Sequence, residues 1–436
     1  MLAAAFLGGA KDRLLPASIP FRYFATASGF HILAWAALII GADDLPGFIG
    51  GTGWVLASLH LLTLGVLVMT AIGASLQLLP MATRQPLQRK WPAKLCFWLL
   101  APGTLLLAFG MVEGVGETSF PALYAGGIGV GGALLVFAWL TAGNLRAGRS
   151  AMPIVTGHGW AALVALPVFV ALGFFLIIDF DNGILTDRQS IAASHMVLAV
   201  FGFMGLLVFG FSHILIPMFV LSRTLSVKLG WLELALAVLA IVVATAAALS
   251  HNDYLIIAAM LIGLAASAAY LWLMRSAFRT SMRKRLGLSF VVIRVSWGFL
   301  IVGLLTGLAV MLEAPIPNGM TLFGFLILVG WLLTFLTGIL QRIMPFLASM
   351  HVVGKGGRPP LLSELTAEGP LIVHAVCHFA ALVICSAGIV FDAPIFVKLG
   401  AISGLVGAIA FAVFAGFVMR WLRTTNLKST GPAQPH

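Results

Sequence analysis

Ten histidines are the residues of this 436-residue chain best suited to hold a metal or a cofactor, because a neutral imidazole binds iron, copper and zinc. His374 and His378 have the i, i+4 spacing that places two side chains on one face of a helix. The pair could grip one metal ion, or it could serve in polar packing between helices. His213 follows His195 by eighteen residues, or five helical turns, so these imidazoles would face the same way about 27 Å apart. The spacing predicts separate candidate sites, with His213, His374 and His378 as candidate metal ligands.

Composition indicates which elements must position these side chains. The chain is 61% hydrophobic and 9% charged, and its mean hydropathy is +1.08. That much apolar surface cannot be buried inside a water-soluble globule. Lipid offers the backbone no hydrogen bonds, so spanning segments must be helices or a closed barrel, and long unbroken apolar runs favour helices. The expected fold class is an all-α polytopic membrane protein.

Twelve apolar stretches are long enough to span a bilayer. The connections between them are short, so we expect one transmembrane domain over residues 1–436. Residues 1–10 are too short to span, and charges follow them rather than precede them, which is not the pattern of a signal peptide. We interpret them as a cytoplasmic tail. The stretches are Phe24 to Gly41, Trp54 to Leu79, Ala93 to Met111, Leu123 to Ala142, Pro153 to Ile178, Ile191 to Ile216, Trp231 to Leu249, Tyr254 to Met274, Phe290 to Leu312, Thr321 to Met344, Leu371 to Val390 and Ile395 to Val418.

The loop charges indicate the orientation. If the N-terminus is cytoplasmic, every Lys and Arg except Arg188 and Lys398 falls on or near the cytoplasmic face, as the positive-inside rule requires. Acidic residues concentrate in the opposite loops. One missed helix would reverse this alternation from that point onward, so the pattern supports a count of twelve. It also predicts a bacterial-type inner membrane with both termini cytoplasmic, and it explains the net charge of +11 without nucleic acid as a partner.

Glycine and proline recur near the cytoplasmic end of the second, sixth and tenth stretches, where the glycine precedes the proline by seven residues each time. The motif occurs on every fourth helix, at intervals of 137 and 128 residues. This spacing predicts three pseudo-repeats of four helices, at about residues 20–145, 150–275 and 288–420. Proline can end a membrane helix at the interface without harm, which would explain each site singly but not the spacing. The pairs are Gly73 and Pro80, Gly210 and Pro217, and Gly338 and Pro345.

Three segments carry a resemblance to a known family. They are HLLTLGVLVMTAIGASLQLLPM from His60, SHMVLAVFGFMGLLVFGFSHILIPMF from Ser194, and GILQRIMPFLASMH from Gly338. Together with the helix count and orientation, they resemble the heme-copper oxidase subunit I superfamily. More narrowly, they resemble its divergent small members related to the NnrS proteins associated with nitric oxide stress. The resemblance implies three arcs of four helices around the cofactors, with ligands on the second, sixth and tenth helices.

The resemblance also implies roles for two histidines. His60 would be an axial ligand to the iron of a low-spin heme b, and His195 would be the copper-site histidine of the sixth helix. Both lie within apolar stretches, where an ionisable residue is a functional candidate by default. The alternative is that each imidazole only hydrogen-bonds a neighbouring helix. Four other histidines lie at helix ends or in the tail, where we expect them to be solvated: His158, His251, His351 and His436.

Departures from the superfamily pattern limit the chemistry. Working oxidases of this superfamily have a His-x-His on the tenth helix, but the stretch from Thr321 to Met344 contains no histidine. Phe323 and Phe325 stand near the positions that echo His60. The seventh stretch lacks both the adjacent histidines that complete the copper site and a tyrosine. An oxygen-reducing centre of the family type therefore cannot be assembled.

Proton pumping needs buried carboxylates or lysines along a path. In this chain, acids and bases such as Glu233 and Arg294 fall near helix ends, and the apolar interiors offer histidines, amides and hydroxyls. The sequence therefore predicts that the protein is not a proton-pumping oxidase.

Two classes of function stay open. The first is a membrane protein that binds heme b, with copper as a further candidate, for electron transfer or for binding a diatomic gas such as NO or O2. Such a heme-dependent oxidoreductase would take electrons from a quinol, a cytochrome or another membrane subunit. The second is a cofactor-free permease for small solutes or metals, or an assembly factor on the same scaffold. Sparse charge in the spans argues against charged organic substrates.

The orientation can be tested with single cysteines in a variant that lacks Cys96, Cys377 and Cys385. In Arg279→Cys, the new thiol should react with a membrane-impermeant maleimide only from the cytoplasmic face, because basic loops face that side. Asp253→Cys is the matched control and should react only from the opposite face. The mass shift in right-side-out and inverted vesicles measures both. The reverse pattern would overturn the assignment of both termini.

Overall fold

The computed structural model describes most of the chain. The predicted tail over residues 1–10 and the C-terminal His436 lie outside the described residues. The described ranges are 14–87, 89–112, 119–147, 152–283, 285–353, 362 and 364–428.

Twelve helices within this part of the chain are long and apolar enough to cross a membrane, and no residue in it forms a β-strand. The predicted fold class is therefore confirmed. We call the end of the bundle that carries the basic loops the inner end, and the opposite end the outer end. The helices are α1 (Pro20–Ile40), α2 (Trp54–Thr83), α3 (Trp91–Val112), α4 (Phe120–Ala147), α5 (Pro153–Asn182), α6 (Arg188–Val220), α7 (Val227–Ser250), α8 (Asp253–Arg279), α9 (Leu288–Met311), α10 (Gly319–His351), α11 (Glu368–Val390) and α12 (Pro394–Thr424).

Helices α2, α6 and α10 form the centre of the bundle. In its most apolar window, α10 is 89% buried and α2 is 78% buried, whereas α8 is only 22% buried. The outer helices follow one another around this centre: α3 packs along α4, α7 along α8, and α11 along α12. Contacts between α12 and α1 close the ring. Side chains on α2, α6 and α10 are therefore the ones that can meet in the interior.

Each central helix contains an eight-residue π-helical segment: Leu61–Val68 in α2, Leu198–Gly205 in α6 and Leu326–Leu333 in α10. The segments begin 137 and 128 residues apart, the same intervals as the glycine–proline motif. The π-helix is rare and occurs mostly as single-turn bulges, often at functional sites. Three such segments at equivalent positions extend the threefold repeat to the backbone, although the residue limits of the repeats stay a prediction. The segment of α10 contacts those of α2 and α6.

Close helix packing explains the recurring glycine. A β-carbon at Gly73 would lie 2.7 Å from the β-carbon of Tyr23 on α1, and the other two motif glycines meet α5 and α9 at 2.6 and 2.9 Å. Small residues allow membrane helices to approach backbone to backbone, so each glycine lets the second helix of a repeat approach the first. A second set of glycines lies within the π segments and has the same sequence intervals: Gly65, Gly202 and Gly330. These glycines pack against the same three helices, α1, α5 and α9, and the sequence analysis does not predict them.

The motif prolines lie inside their helices rather than at the ends. α2 continues three residues beyond Pro80, and α6 continues three residues beyond Pro217. A membrane helix tolerates an internal proline because neighbouring groups satisfy the freed carbonyl. Termination comes instead from a left-handed residue, Arg84 after α2 and Leu221 after α6.

The Gly73→Ala substitution tests the role of the motif glycine. The added β-carbon would overlap Tyr23, so α1 and α2 must separate, at a cost of about 1 to 3 kcal/mol typical of overpacking. Gly29→Ala on α1 is the control, because no atom lies within 4 Å of a β-carbon there. Thermal unfolding of the purified proteins in detergent should show a lower melting temperature for Gly73→Ala only. Equal melting temperatures would contradict the packing argument.

Candidate functional site

His60 lies six residues into α2 from the outer end, immediately before the π segment. Its Nδ1 is 3.0 Å from the carbonyl oxygen of Leu56. A carbonyl oxygen only accepts, so Nδ1 of the neutral ring must carry the proton, and the lone pair is on Nε2. Nε2 makes no hydrogen bond to another described residue. The side chain therefore presents a nitrogen donor in the outer half of the bundle.

His195 lies on α6, three residues before its π segment. Its Nδ1 is 2.8 Å from the carbonyl oxygen of Phe169 on α5, so here too Nε2 holds the lone pair. The ring fits beside Gly173, where a β-carbon would lie 3.0 Å from His195 Cε1. Metal-binding histidines are commonly oriented in this way, with the second ring nitrogen donating to a backbone carbonyl.

The two imidazoles come from two different central helices, α2 and α6. In the repeat, Phe325 corresponds to His60 and Phe323 corresponds to His195, because the intervals of 137 and 128 residues relate them. Both phenylalanines are buried. The third central helix therefore contributes aromatic apolar surface where the first two contribute nitrogen donors. We call His60 and His195 the outer pair; each offers a nitrogen donor of the kind that binds heme iron.

The same region does not suit a copper ion held by three protein ligands. In the described part of the chain, no three His, Cys, Asp or Glu side chains are arranged to hold a metal ion. His195 has no further histidine beside it on α7, where the sequence contains none before His251.

A second cluster, the inner triad, comprises His158 of α5, His213 of α6 and Glu233 of α7. His158 Nε2 lies 3.2 Å from Oε1 of Glu233, and His213 Nε2 lies 3.3 Å from Oε2 of the same carboxylate. Glu233 and His158 have no exposed surface. His213, predicted as a metal ligand, is thus placed in a carboxylate-bridged pair of imidazoles.

The inner triad corrects two sequence-based expectations. His158 was expected to be solvated, and Glu233 was expected to lie near a helix end outside the buried interior. Both are fully buried because three helices converge at the inner end, where Gly210 brings α6 against His158. A lone acid six residues inside an apolar helix is the sequence signal that would have identified Glu233.

Two other histidines expected to be solvated differ from each other. His251 is exposed, with its Nε2 2.8 Å from Asp187, so this expectation is confirmed. His351 is half-buried instead, and its two ring nitrogens lie 2.9 and 2.7 Å from the carbonyl oxygens of Leu15 and Leu347. The backbone at Leu15, before α1, thus contacts the inner end of α10.

His374 and His378, predicted as a metal-binding pair, are buried between α1, α10 and α12. Their rings stack with centroids 5.5 Å apart, and the ring of His31 lies 6.0 Å from that of His374. The structure thus brings a third imidazole to the pair. These three residues form what we call the imidazole cluster.

Hydrogen bonds determine which nitrogens of this cluster are free. The Thr334 hydroxyl donates to the Val329 carbonyl at 2.8 Å, so it must accept at 2.7 Å from Nε2 of His378. His374 donates from Nδ1 to the Gly407 carbonyl at 3.0 Å. Its buried Nε2 has no partner among the described residues. Among the described residues, no three potential ligands are arranged to hold a metal ion, and metal binding by His374 and His378 stays a prediction.

Comparisons with known proteins bear on the fold. No protein-family model matches the chain, and no curated protein matches it. Its structure is similar to a heme-copper terminal oxidase determined by cryo-EM as a dimer, with a TM-score of 0.65 and 14% identity over 97% of this chain and 86% of that one. The chain therefore shares its fold with that heme-copper terminal oxidase chain, in agreement with the resemblance. At this identity the likeness establishes the fold alone.

Thr334→Val tests the hydrogen bond that orients His378. The substitution keeps the shape of the side chain but leaves the buried Nε2–H of His378 without its acceptor, which should cost about 1 to 3 kcal/mol. Thr306→Val on α9 is the control, because that exposed hydroxyl bonds only to its own helix. Thermal unfolding in detergent should separate the two variants. Equal destabilisation would contradict the assigned bond.

Proposed function

We propose that the protein binds heme b between α2 and α6, with His60 and His195 as axial ligands, and that it transfers electrons within the membrane. The observation that carries this proposal is that the imidazole rings of His60 and His195 make the same kind of hydrogen bond. Each donates from Nδ1 to a backbone carbonyl, so each keeps its lone pair on Nε2.

The surroundings of the outer pair fit a heme. The ring of Phe169 lies 6.0 Å from that of His195, and Phe323 and Phe325 are buried at the equivalent positions of α10. Two imidazole ligands and a low-polarity pocket are arrangements by which proteins tune heme iron. The sequence has no CxxCH motif for covalent attachment, which favours heme b.

Each protein group has a distinct role in this proposal. The Leu56 and Phe169 carbonyls hold the imidazoles in the tautomer that leaves Nε2 free. Gly173 leaves room for the ring of His195 against α5. When bound, the heme would supply a one-electron redox couple. Its reductant would be a quinol, a cytochrome or another membrane subunit.

Electron transfer is favoured over gas binding because two histidines are available. If both bind the iron, no coordination position is left for a diatomic gas such as NO or O2. We do not extend the proposal to copper, because His195 lacks the further ligands that a copper ion needs.

Purified protein from a heme-replete host provides the test. The wild type should show a Soret band, a stoichiometric hemochrome and a low-spin signal in electron paramagnetic resonance. His60→Ala and His195→Ala should each lower heme affinity by at least about tenfold, since even indirect partners of a metal-bound histidine are worth roughly 10- to 100-fold. His251→Ala is the matched control, because His251 is an exposed histidine of the outer end.

Three results would contradict the proposal. A colourless wild-type protein would favour a cofactor-free permease or assembly factor. Full heme occupancy in both alanine variants would place the ligands elsewhere. A carbon monoxide shift in the reduced wild-type spectrum would indicate an open iron position, and hence gas binding rather than electron transfer.

A further inference from the structure

We propose that the inner triad binds one exchangeable proton, taken up from the inner end of the bundle. The site consists of His158, His213 and Glu233, and it does not depend on whether heme is bound at the outer pair. The proposal rests on hydrogen-bond geometry in a fully buried cluster.

The first step concerns His158. Its Nδ1 lies 2.9 Å from the Ile154 carbonyl oxygen, which can only accept, so Nδ1 carries a proton. Its Nε2 lies 3.2 Å from Oε1 of Glu233. If Nε2 and the carboxylate were both unprotonated, two lone pairs would face each other in a buried site. The contact therefore requires a proton between His158 and Glu233.

That proton can sit on either partner. With the proton on Nε2, the pair is an imidazolium beside a carboxylate, and with the proton on Oε1, it is a neutral imidazole beside a carboxylic acid. Both forms contain the same number of protons and have no net charge. Removing the proton would leave a net negative charge in the interior of the membrane protein, which is costly.

His213 supplies the second hydrogen bond to the carboxylate, from Nε2 to Oε2 at 3.3 Å. Two donors on the two oxygens stabilise the anionic form of Glu233. No Lys or Arg in the described part of the chain bonds to this carboxylate, and Lys228, on the preceding turn of α7, is exposed. The neutralising charge must therefore come from a proton held within the triad.

The groups on the neighbouring helices do not replace that proton. Tyr270 of α8 lies near Glu233, but its hydroxyl donates to Ser212 at 2.9 Å and accepts from the Trp297 indole at 3.1 Å. The tyrosine hydrogen is thus directed away from the carboxylate. On α5 and α6, the titratable groups that face Glu233 are His158 and His213 themselves.

The inner triad lies a short distance from the inner end of the bundle. Glu233 lies six residues into α7, which corresponds to about 9 Å of helix. The side chain of His213 retains 6% exposure, whereas Glu233 has none. Gly230, in the first turn of α7, faces His213, where a β-carbon would lie 3.2 Å from Cε1. The imidazole of His213 is therefore the member through which a proton can reach the carboxylate.

Glu233→Gln separates proton binding from packing. The glutamine amide can donate to the Nε2 lone pair of His158, and its oxygen can accept from His213. Both hydrogen bonds survive without a titrating proton. Full-length protein in detergent is titrated from mildly acidic to alkaline pH, and the protons released per molecule are measured. Wild type should release one proton more than Glu233→Gln, whereas Glu313→Gln, at an exposed glutamate, should match wild type.

If Glu233→Gln does not fold, the proposal can be tested by a measurement on the wild-type protein alone. Infrared difference spectra with isotope-labelled glutamate should show one labelled carboxylate responding to the same pH change as a histidine band. Equal proton release by wild type and a folded Glu233→Gln protein would overturn the proposal. So would the absence of any labelled glutamate band that changes before the protein unfolds.

Discussion

Close approach between the central helices and the first helix of each repeat is the constraint on which the rest of the structure depends. Helices in lipid gain no hydrophobic free energy by association, so their contacts rely on packing and on small residues. The glycines of α2, α6 and α10 meet side chains of α1, α5 and α9 at distances that no β-carbon could share. This packing places the three π segments in the centre of the bundle. It also determines how far along the bundle axis the polar side chains next to them lie.

Polar side chains inside this apolar bundle are oriented mainly by the backbone. His60, His158, His195 and His374 each place Nδ1 against a carbonyl oxygen. A buried donor left unpaired is costly, so these carbonyls select one tautomer and direct Nε2 elsewhere. What Nε2 meets then distinguishes the sites: the outer pair retains a nitrogen donor, and the inner triad meets a carboxylate.

The similarity to a heme-copper terminal oxidase concerns the fold, whereas the chemistry of the sites depends on the residues of this chain. The fold is shared over 97% of the chain, but the tenth helix has phenylalanines at the positions that echo His60 and His195. The same scaffold thus supports two nitrogen donors at the outer end. It also holds a buried carboxylate with two imidazoles at the inner end, a combination that depends on residues from three helices.

Much of the fold could be predicted from the sequence, because the physics involved is local. Apolar length alone indicates twelve spans, and the glycine–proline spacing alone indicates the threefold repeat. The sequence made His60 and His195 candidates, through the resemblance and the apolar stretches in which they lie, and their role as heme ligands stays a proposal. The burial of His158 and Glu233 was not predicted, since proximity to a helix end says nothing about which neighbouring helix covers it. The convergence of α5, α6 and α7 decided that point, and tertiary structure likewise brought His31 to His374 and His378, because contacts between residues distant in sequence depend on packing.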